Sequence, residues 1–329
     1  MSPGGAKRSA TIYDVAKRAG VSHQTVARFL NGDGGIRPYN RVKVEAALEE
    51  LQYRPNMVAR LLATNRTYRL GALGFEIAGH NPGLVLQGAS DAARELGYIV
   101  EVMGLDPLDP GMLAGGVEEL VRKGAEGLLI TSPTVGTAAA LAELDIEVPI
   151  VIVGGDGAAA SERRGARLVL DHLTDLGHTQ VAHLAGPPEW TAAQFRLTEY
   201  ERWAGEVGTV PVVWPGDWDF ESGYRRAEML PGSGVTAVFA ANDRIAMGAL
   251  LRMHELGIRV PEDVSVVGFD DLSMSGYTYP PLTTVRMEFE RSGRVSVARL
   301  IAAIEGREHA GDYPEHRLVV RRSSGPVRA

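Results

Sequence analysis

Gln24, Arg28 and Asn31 fall at i, i+4 and i+7, with His23 just ahead of them. On a helix this spacing puts three polar side chains on one face and a fourth at its N-terminal tip. Gln offers the donor–acceptor pair that matches adenine, and Arg offers the fork that matches guanine. Such a face recognises base edges by hydrogen bonding and makes or breaks no bond. It needs a helix to carry it and a partner to hold that helix. Thr11-Ile12-Tyr13-Asp14 opens a first helix, with Thr11 as cap and Asp14 as the acidic half of a capping box. Ile12, Val15, Ala16 and Ala19 follow at helical spacing, and Gly20 ends the run. Ser22 caps the second helix, in which Val26 and Leu30 form the inward pair behind the polar face. A third helix begins near Pro38 and carries an apolar stripe of Val44, Ala47, Leu48 and Leu51. This is the pattern of a helix-turn-helix that lays its second helix in a major groove. The plain alternative is a helical pair with a solvated polar face.

Charge supports the first reading. Residues 1–69 carry 12 Lys+Arg against 5 Asp+Glu, a net +7, while the remainder is −14. A basic segment on an acidic body suits a nucleic-acid-binding module joined to a separate domain. At 329 residues the chain has room for about two domains plus a small module. The absence of Cys removes disulfides, thiolate metal sites and Cys nucleophiles from consideration. No apolar run precedes the first charges, and no stretch reaches the roughly 18–20 residues of a membrane span, so a cytoplasmic protein is expected.

Beyond Asn65 the pattern becomes strand–helix alternation. Strands are predicted at 70–75, 99–103, 127–131, 149–153, 181–185, 237–240 and 264–269, with helical runs such as 84–96, 165–176 and 245–256. Gly97, Gly177 and Gly257 each end a helix before a strand and are assigned no ligand. Seven strands over this length predict doubly wound parallel sheets in two similar lobes.

With these residues in view, the segment TIYDVAKRAGVSHQTVARFLNG and the following RVKVEAALEELQYRPNMVARLLATNR resemble the N-terminal region of the LacI/GalR repressor family. The body resembles the same family through Asp175-Leu176-Gly177-His178, Ala240-Ala241-Asn242-Asp243, Val266-Val267-Gly268-Phe269-Asp270-Asp271 and Pro280-Pro281-Leu282-Thr283-Thr284. The resemblance implies an all-α helix-turn-helix headpiece over 1–54 and a hinge helix and linker over 55–68. An α/β two-lobed periplasmic-binding-protein-like core with doubly wound parallel sheets then follows over 69–329. It implies that His23, Gln24 and Arg28 read bases, and that Thr11, Ser22, Thr25 and Asn31 contact the DNA backbone or stabilise the motif. It further implies that Leu62, with Ala59, enters the minor groove from a hinge helix that orders on operator DNA. In the core it places an effector on Arg196, Trp218, Asn242 and Asp270. That set suits a sugar: a guanidinium, an amide and a carboxylate for hydroxyls, and an aromatic face for C–H groups. Plainer roles are a helix cap for Asp270-Asp271, core packing for Trp218 and a turn for Asn242-Asp243. Departures from the family pattern are Gly154, Met287, Glu199 and a short 155–164 segment ahead of the helix expected at Gly165.

The Gly154-Gly155-Asp156-Gly157 stretch lacks the spacing of a phosphate loop, and no HExxH or GxSxG occurs. Asp270 and Asp271 are adjacent, whereas paired glycosidase carboxyls face each other across roughly 5–9.5 Å. The expectation is therefore no enzyme, no cofactor and no metal. The expected protein is a homodimeric transcriptional repressor that binds a pseudo-palindromic operator, is released by a sugar or sugar-derived effector, and has no membrane partner. The alternatives are a corepressor-dependent regulator or activator, or a sugar-binding protein without DNA function.

Overall fold

The computed structural model describes residues 10–30, 35–53, 66–75, 80–106, 109–131, 133–153, 158–308 and 311–328. The chain divides into two compact units, Met1–Thr67 and Tyr68–Ala329. In the first, α1 (Ile12–Ala19), α2 (His23–Leu30) and α3 (Pro38–Glu50) close around Val15, Ala16, Ala19, Val26, Val44 and Ala47. The capping box at Thr11 is complete, and Gly20 takes the left-handed conformation (φ 66°) that ends α1.

The second unit has two lobes. The first contains β1 (Arg69–Phe75), α4 (His80–Glu95), β2 (Ile99–Leu105), α5 (Pro110–Arg122), β3 (Leu128–Thr131), α6 (Thr137–Ala142) and β4 (Ile150–Ile152). Its strands run parallel in the order β2-β1-β3-β4. The second lobe contains α7 (Ala158–Asp175), β5 (Val181–Ala185), α8 (Thr191–Val207), β6 (Val212–Pro215), α9 (Phe220–Arg226), β7 (Ala237–Ala240), α10 (Asp243–Glu255) and β8 (Ser265–Val267). Its parallel order is β6-β5-β7-β8, the same winding. β9 (Thr284–Arg286) and β10 (Arg317–Val319) form an antiparallel pair beside the second lobe. Between them α11 (Phe289–Ile304) returns to the first lobe, where Val297, Leu300 and Ile301 join Leu70, Ala72 and Ala89 in one core. The chain thus crosses between lobes after β4, after β9 and after α11.

Each lobe contains a helix pair in very close contact. A Cβ on Gly293 of α11 would stand 2.0 Å from the Val85 carbonyl oxygen of α4, and one on Gly248 of α10 would stand 1.8 Å from that of Phe220. No periodic signal marks these crossings, because glycine adds nothing to a hydrophobic pattern. Strands β6, β9 and β10 were not expected; each has only three or four residues, too few to show an alternation.

The helix expected at Gly165 begins earlier. Residues from Ala158 onward are already helical, so what reads as a shortened segment before the helix is largely its first two turns. Ala158, Ala159, Ala160, Glu162, Arg163 and Arg164 are mostly strong helix formers, whereas Gly165 sits mid-helix for steric reasons. A Cβ there would lie 2.6 Å from the Phe269 ring. Among the described residues no helix is long and apolar enough to cross a membrane, and no cluster of three His, Cys, Asp or Glu could hold a metal ion.

Candidate nucleic-acid interface and interlobe cleft

The first unit presents Ser22, His23, Gln24 and Arg28 exposed on α2, with Thr25 half-buried. Val26 is fully buried beneath them, so the polar face is held by the α1–α3 packing. The Ser22 hydroxyl accepts from the Thr25 amide at 3.2 Å and lies 2.9 Å from the Thr25 hydroxyl. Thr11 donates its hydroxyl to Asp14 at 2.7 Å, which engages it in the cap. Arg28 runs so close to Gly35 that a Cβ at that position would sit 2.4 Å from its guanidinium. Sequence reading missed Tyr13. Its ring is 66% exposed and lies 5.2 Å from the His23 imidazole, extending the polar face with an aromatic surface. Its position beside the tip of the next helix was not readable from helical spacing. Asn31, Ala59 and Leu62 lie outside the described residues.

In the second unit a cleft of about 480 Å³ opens at the C-terminal ends of both sheets. That is where doubly wound sheets leave room for ligands, because the connections diverge there. Arg196, Trp218, Asn242 and Asp270 all line it. So do Asn81 from the start of α4, Glu162 from α7, Trp190 ahead of α8 and His316 ahead of β10, none of which sequence reading singled out.

Asp270 follows β8 in an unusual backbone conformation, φ 110°, with Asp271 at φ 54°. Non-glycine residues in this region carry strain, and such strain concentrates at functional positions. The next helical turn, Ser275–Tyr277, is preceded by Met274 at its cap position, so Asp270 and Asp271 do not cap a helix. The two side chains diverge. Asp271 engages Arg286 and Arg321, the latter at 2.6 Å. Asp270 accepts from Asn81 Nδ2 across the cleft at 2.6 Å, and its other oxygen lies 3.8 Å from Arg196. Burial pushes the Asp270 carboxyl up to about 7, against the opposing pull of Arg196. Behind it Asp243 is held by Ser275, Thr284 and the Leu272 amide. Burial raises that carboxyl to about 6.

Arg196, on α8, is nearly fully buried. Its Nε donates to Glu162 Oε2 at 2.9 Å, Nη2 reaches the same oxygen at 2.9 Å, and Nη1 donates to the Ala241 carbonyl at 2.5 Å. Its plane lies 3.8 Å from the Phe269 ring centre and 5.8 Å from that of Trp218. Asn242 caps α10 through the Ile245 amide at 2.8 Å and donates to the Trp218 carbonyl at 3.2 Å, so its amide holds the aromatic segment in place. Trp218 itself is half-buried and packs against the cores of both lobes. Gly186 leaves room for it: a Cβ there would stand 2.4 Å from the indole. Met287 lies 3.7 Å from Arg196, and Glu199 is buried in ion pairs with Arg167 and Arg202 rather than facing the cleft. Gly154 lies outside the described residues.

The lobes also meet directly. Trp190 enters the first lobe's core, edge-on to Phe75 at 6.0 Å. The Val135 amide donates to the Glu189 carbonyl at 2.8 Å, and Thr191 donates to the Pro133 carbonyl.

Comparison with known proteins gives a consistent result. The family model for bacterial regulatory proteins of the lacI family matches residues 11–56, and that for a periplasmic binding protein-like domain matches residues 170–324. The chain is 34% identical to the lactose operon repressor of Escherichia coli strain K12, covering 92% of this chain and 87% of that one. It is 30% identical to the ribose operon repressor of the same strain, covering 90% and 93%. The solved structure of the lac repressor dimer bound to operator and the anti-inducer ONPF superposes with a TM-score of 0.77 at 32% identity, covering 97% of this chain and all of that one.

Proposed function

The chain belongs to the lacI family of bacterial regulatory proteins, and from that premise we propose that it is a cytoplasmic repressor released from its operator by a sugar. The exposed face of α2 reads bases through His23, Gln24 and Arg28, with Thr11, Ser22, Thr25 and Asn31 toward the backbone. One such face reads one half-site, so the protein acts as a homodimer on a pseudo-palindromic site. Residues 55–68 form the hinge, with Leu62 and Ala59 as its minor-groove contacts. The sugar occupies the cleft on Arg196, Trp218, Asn242 and Asp270, and no catalytic step is assigned.

The observation that carries this reading is the bond from Asn81 to Asp270. It joins the two lobes inside the cleft, so a ligand that takes either partner changes how the lobes are held. A ligand shifts a conformational equilibrium only by its differential affinity for the two states, and this bond is where that difference arises. The test is operator binding by the full chain during titration with mono- and disaccharides. Release by a sugar, lost in Asp270→Asn, supports the reading; tighter operator binding with sugar would make the ligand a corepressor.

A further inference from the structure

The cleft holds an excess of hydrogen-bond acceptors. Asp270 commits Oδ2 to Asn81, and among the described residues its buried Oδ1 has no hydrogen-bond partner; Asn81 Oδ1 is buried and unpartnered in the same way. Glu162 receives both Arg196 bonds on Oε2, and among the described residues none bonds its Oε1. Arg196, the guanidinium that meets both carboxylates, already has its nitrogens engaged. Arg196 directs its nitrogens to Glu162, the Ala241 carbonyl and the Met287 sulfur. Arg244, the other guanidinium on the lining, lies over the Phe220 ring at 5.2 Å. Charge points the same way: the Glu162 and Asp270 carboxyls both lie against the one guanidinium of Arg196. A buried acceptor left unmatched costs more than a typical hydrogen bond gains, so Asp270 Oδ1 and Asn81 Oδ1 favour a ligand that brings donors, and Glu162 Oε1 at the cleft wall can take another.

Building on the sugar-effector reading above, we propose that this cleft is an acceptor clamp for a neutral or amine-bearing polyol, closed to phosphorylated sugars and sugar acids, with Glu162 as the residue that sets this preference. Hydroxyl and ammonium groups supply donors to Glu162 Oε1, Asp270 Oδ1 and Asn81 Oδ1. A phosphate or carboxylate brings only further acceptors and negative charge beside Glu162 and Asp270, where the Arg196 guanidinium is already matched. Besides lining the cleft, Arg196 fixes the Glu162 carboxylate through its Nε and Nη2, and that carboxylate meets the ligand.

The test uses the full chain and matched ligand sets: glucose, glucosamine, glucose 6-phosphate and glucuronate, the corresponding galactose set, and the neutral disaccharides lactose and cellobiose. Thermal shift and operator release are read for each. The proposal expects the neutral or amino compounds to act at concentrations at least tenfold below their anionic counterparts. In Glu162→Gln that ratio shrinks at least tenfold, because the amide removes one negative charge and frees Arg196 donors; in Glu162→Asp the preference persists. A parental protein that favours a phosphorylated or carboxylated sugar overturns the proposal. So does a folded Glu162→Gln variant with an unchanged ratio, while the sugar-effector reading survives both results. If no compound of any set acts on the parental protein, the sugar-effector reading fails and takes the proposal with it.

Discussion

The α2 face and the interlobe cleft solve recognition in opposite ways. The α2 face is local: Ser22, His23, Gln24 and Arg28 lie within two turns of chain, their side chains are open to solvent, and the small helical unit packed around Val26 supports them. The cleft is assembled from afar. Asn81 and Asp270 are 189 positions apart in the chain, Arg196 and Glu162 are 34 apart, and Asp270 and Arg196 are almost fully buried. An exposed face can change one contact at little cost to folding, whereas a buried cluster ties recognition to stability. Substitutions should therefore separate the two regions cleanly.

The largest effect is expected from Gly293→Ala. Its new Cβ would strike the carbonyl of Val85, a residue that lines the cleft, and overpacking of this kind costs about 3 kcal/mol. Calorimetry should show the transition of the second unit lowered and the ligand shift lost; an unchanged melt would mean α4 and α11 separate easily. Next comes Arg28→Ala, expected to cost about 2 kcal/mol on the specific operator and much less on random DNA. Equal losses on both DNAs, measured by titration at fixed salt, would remove Arg28 from base reading.

Asp270→Asn sharpens the contrast through pH. The folded Asp270 carboxyl is raised to about 7, while the unfolded one stays near 3.9. Between these values the folded state holds a proton that the unfolded state has released, so stability falls as pH rises through that window and the cost is complete above it. Asp243, raised to about 6, acts in the same direction. Asp270→Asn should therefore gain about 2 kcal/mol over the parental protein at pH 8 and little at pH 4. Urea melts at the two pH values measure this, and a gain independent of pH would refute it. The smallest effect is expected from Gly205→Ala on α8, where a Cβ meets nothing within 4 Å. It should stabilise by about 0.5–1 kcal/mol, the helix-propensity difference, and alter neither DNA nor ligand binding.

The two regions were not equally legible in the sequence. Caps, a turn glycine and an inward Val26–Leu30 pair are short-range signals, so the helix-turn-helix and its polar face could be written down from residues 10–31 alone. Parallel strands such as 181–185 and 237–240 were visible as buried apolar runs bounded by turns. In the cleft, Arg196, Trp218, Asn242 and Asp270 came only through family resemblance, and nothing in their spacing showed that they would converge. Glu162 went unnoticed because the helix was started at Gly165, and Asn81 because one amide at a helix start has no periodic context.

What the amino-acid sequence determined by itself is what neighbouring residues impose on each other within a few turns: the helical module, the alternation of strands and helices, and the charge contrast between 1–69 and the rest. Only the tertiary structure decided which groups remain unmatched. Whether a carboxylate such as Glu162 is a surface charge or half of a buried clamp depends on a guanidinium 34 residues away and on how many of its donors are already engaged. Hydrogen-bond saturation is a property of the closed space around a group, and two lobes crossing three times must come together before that space exists.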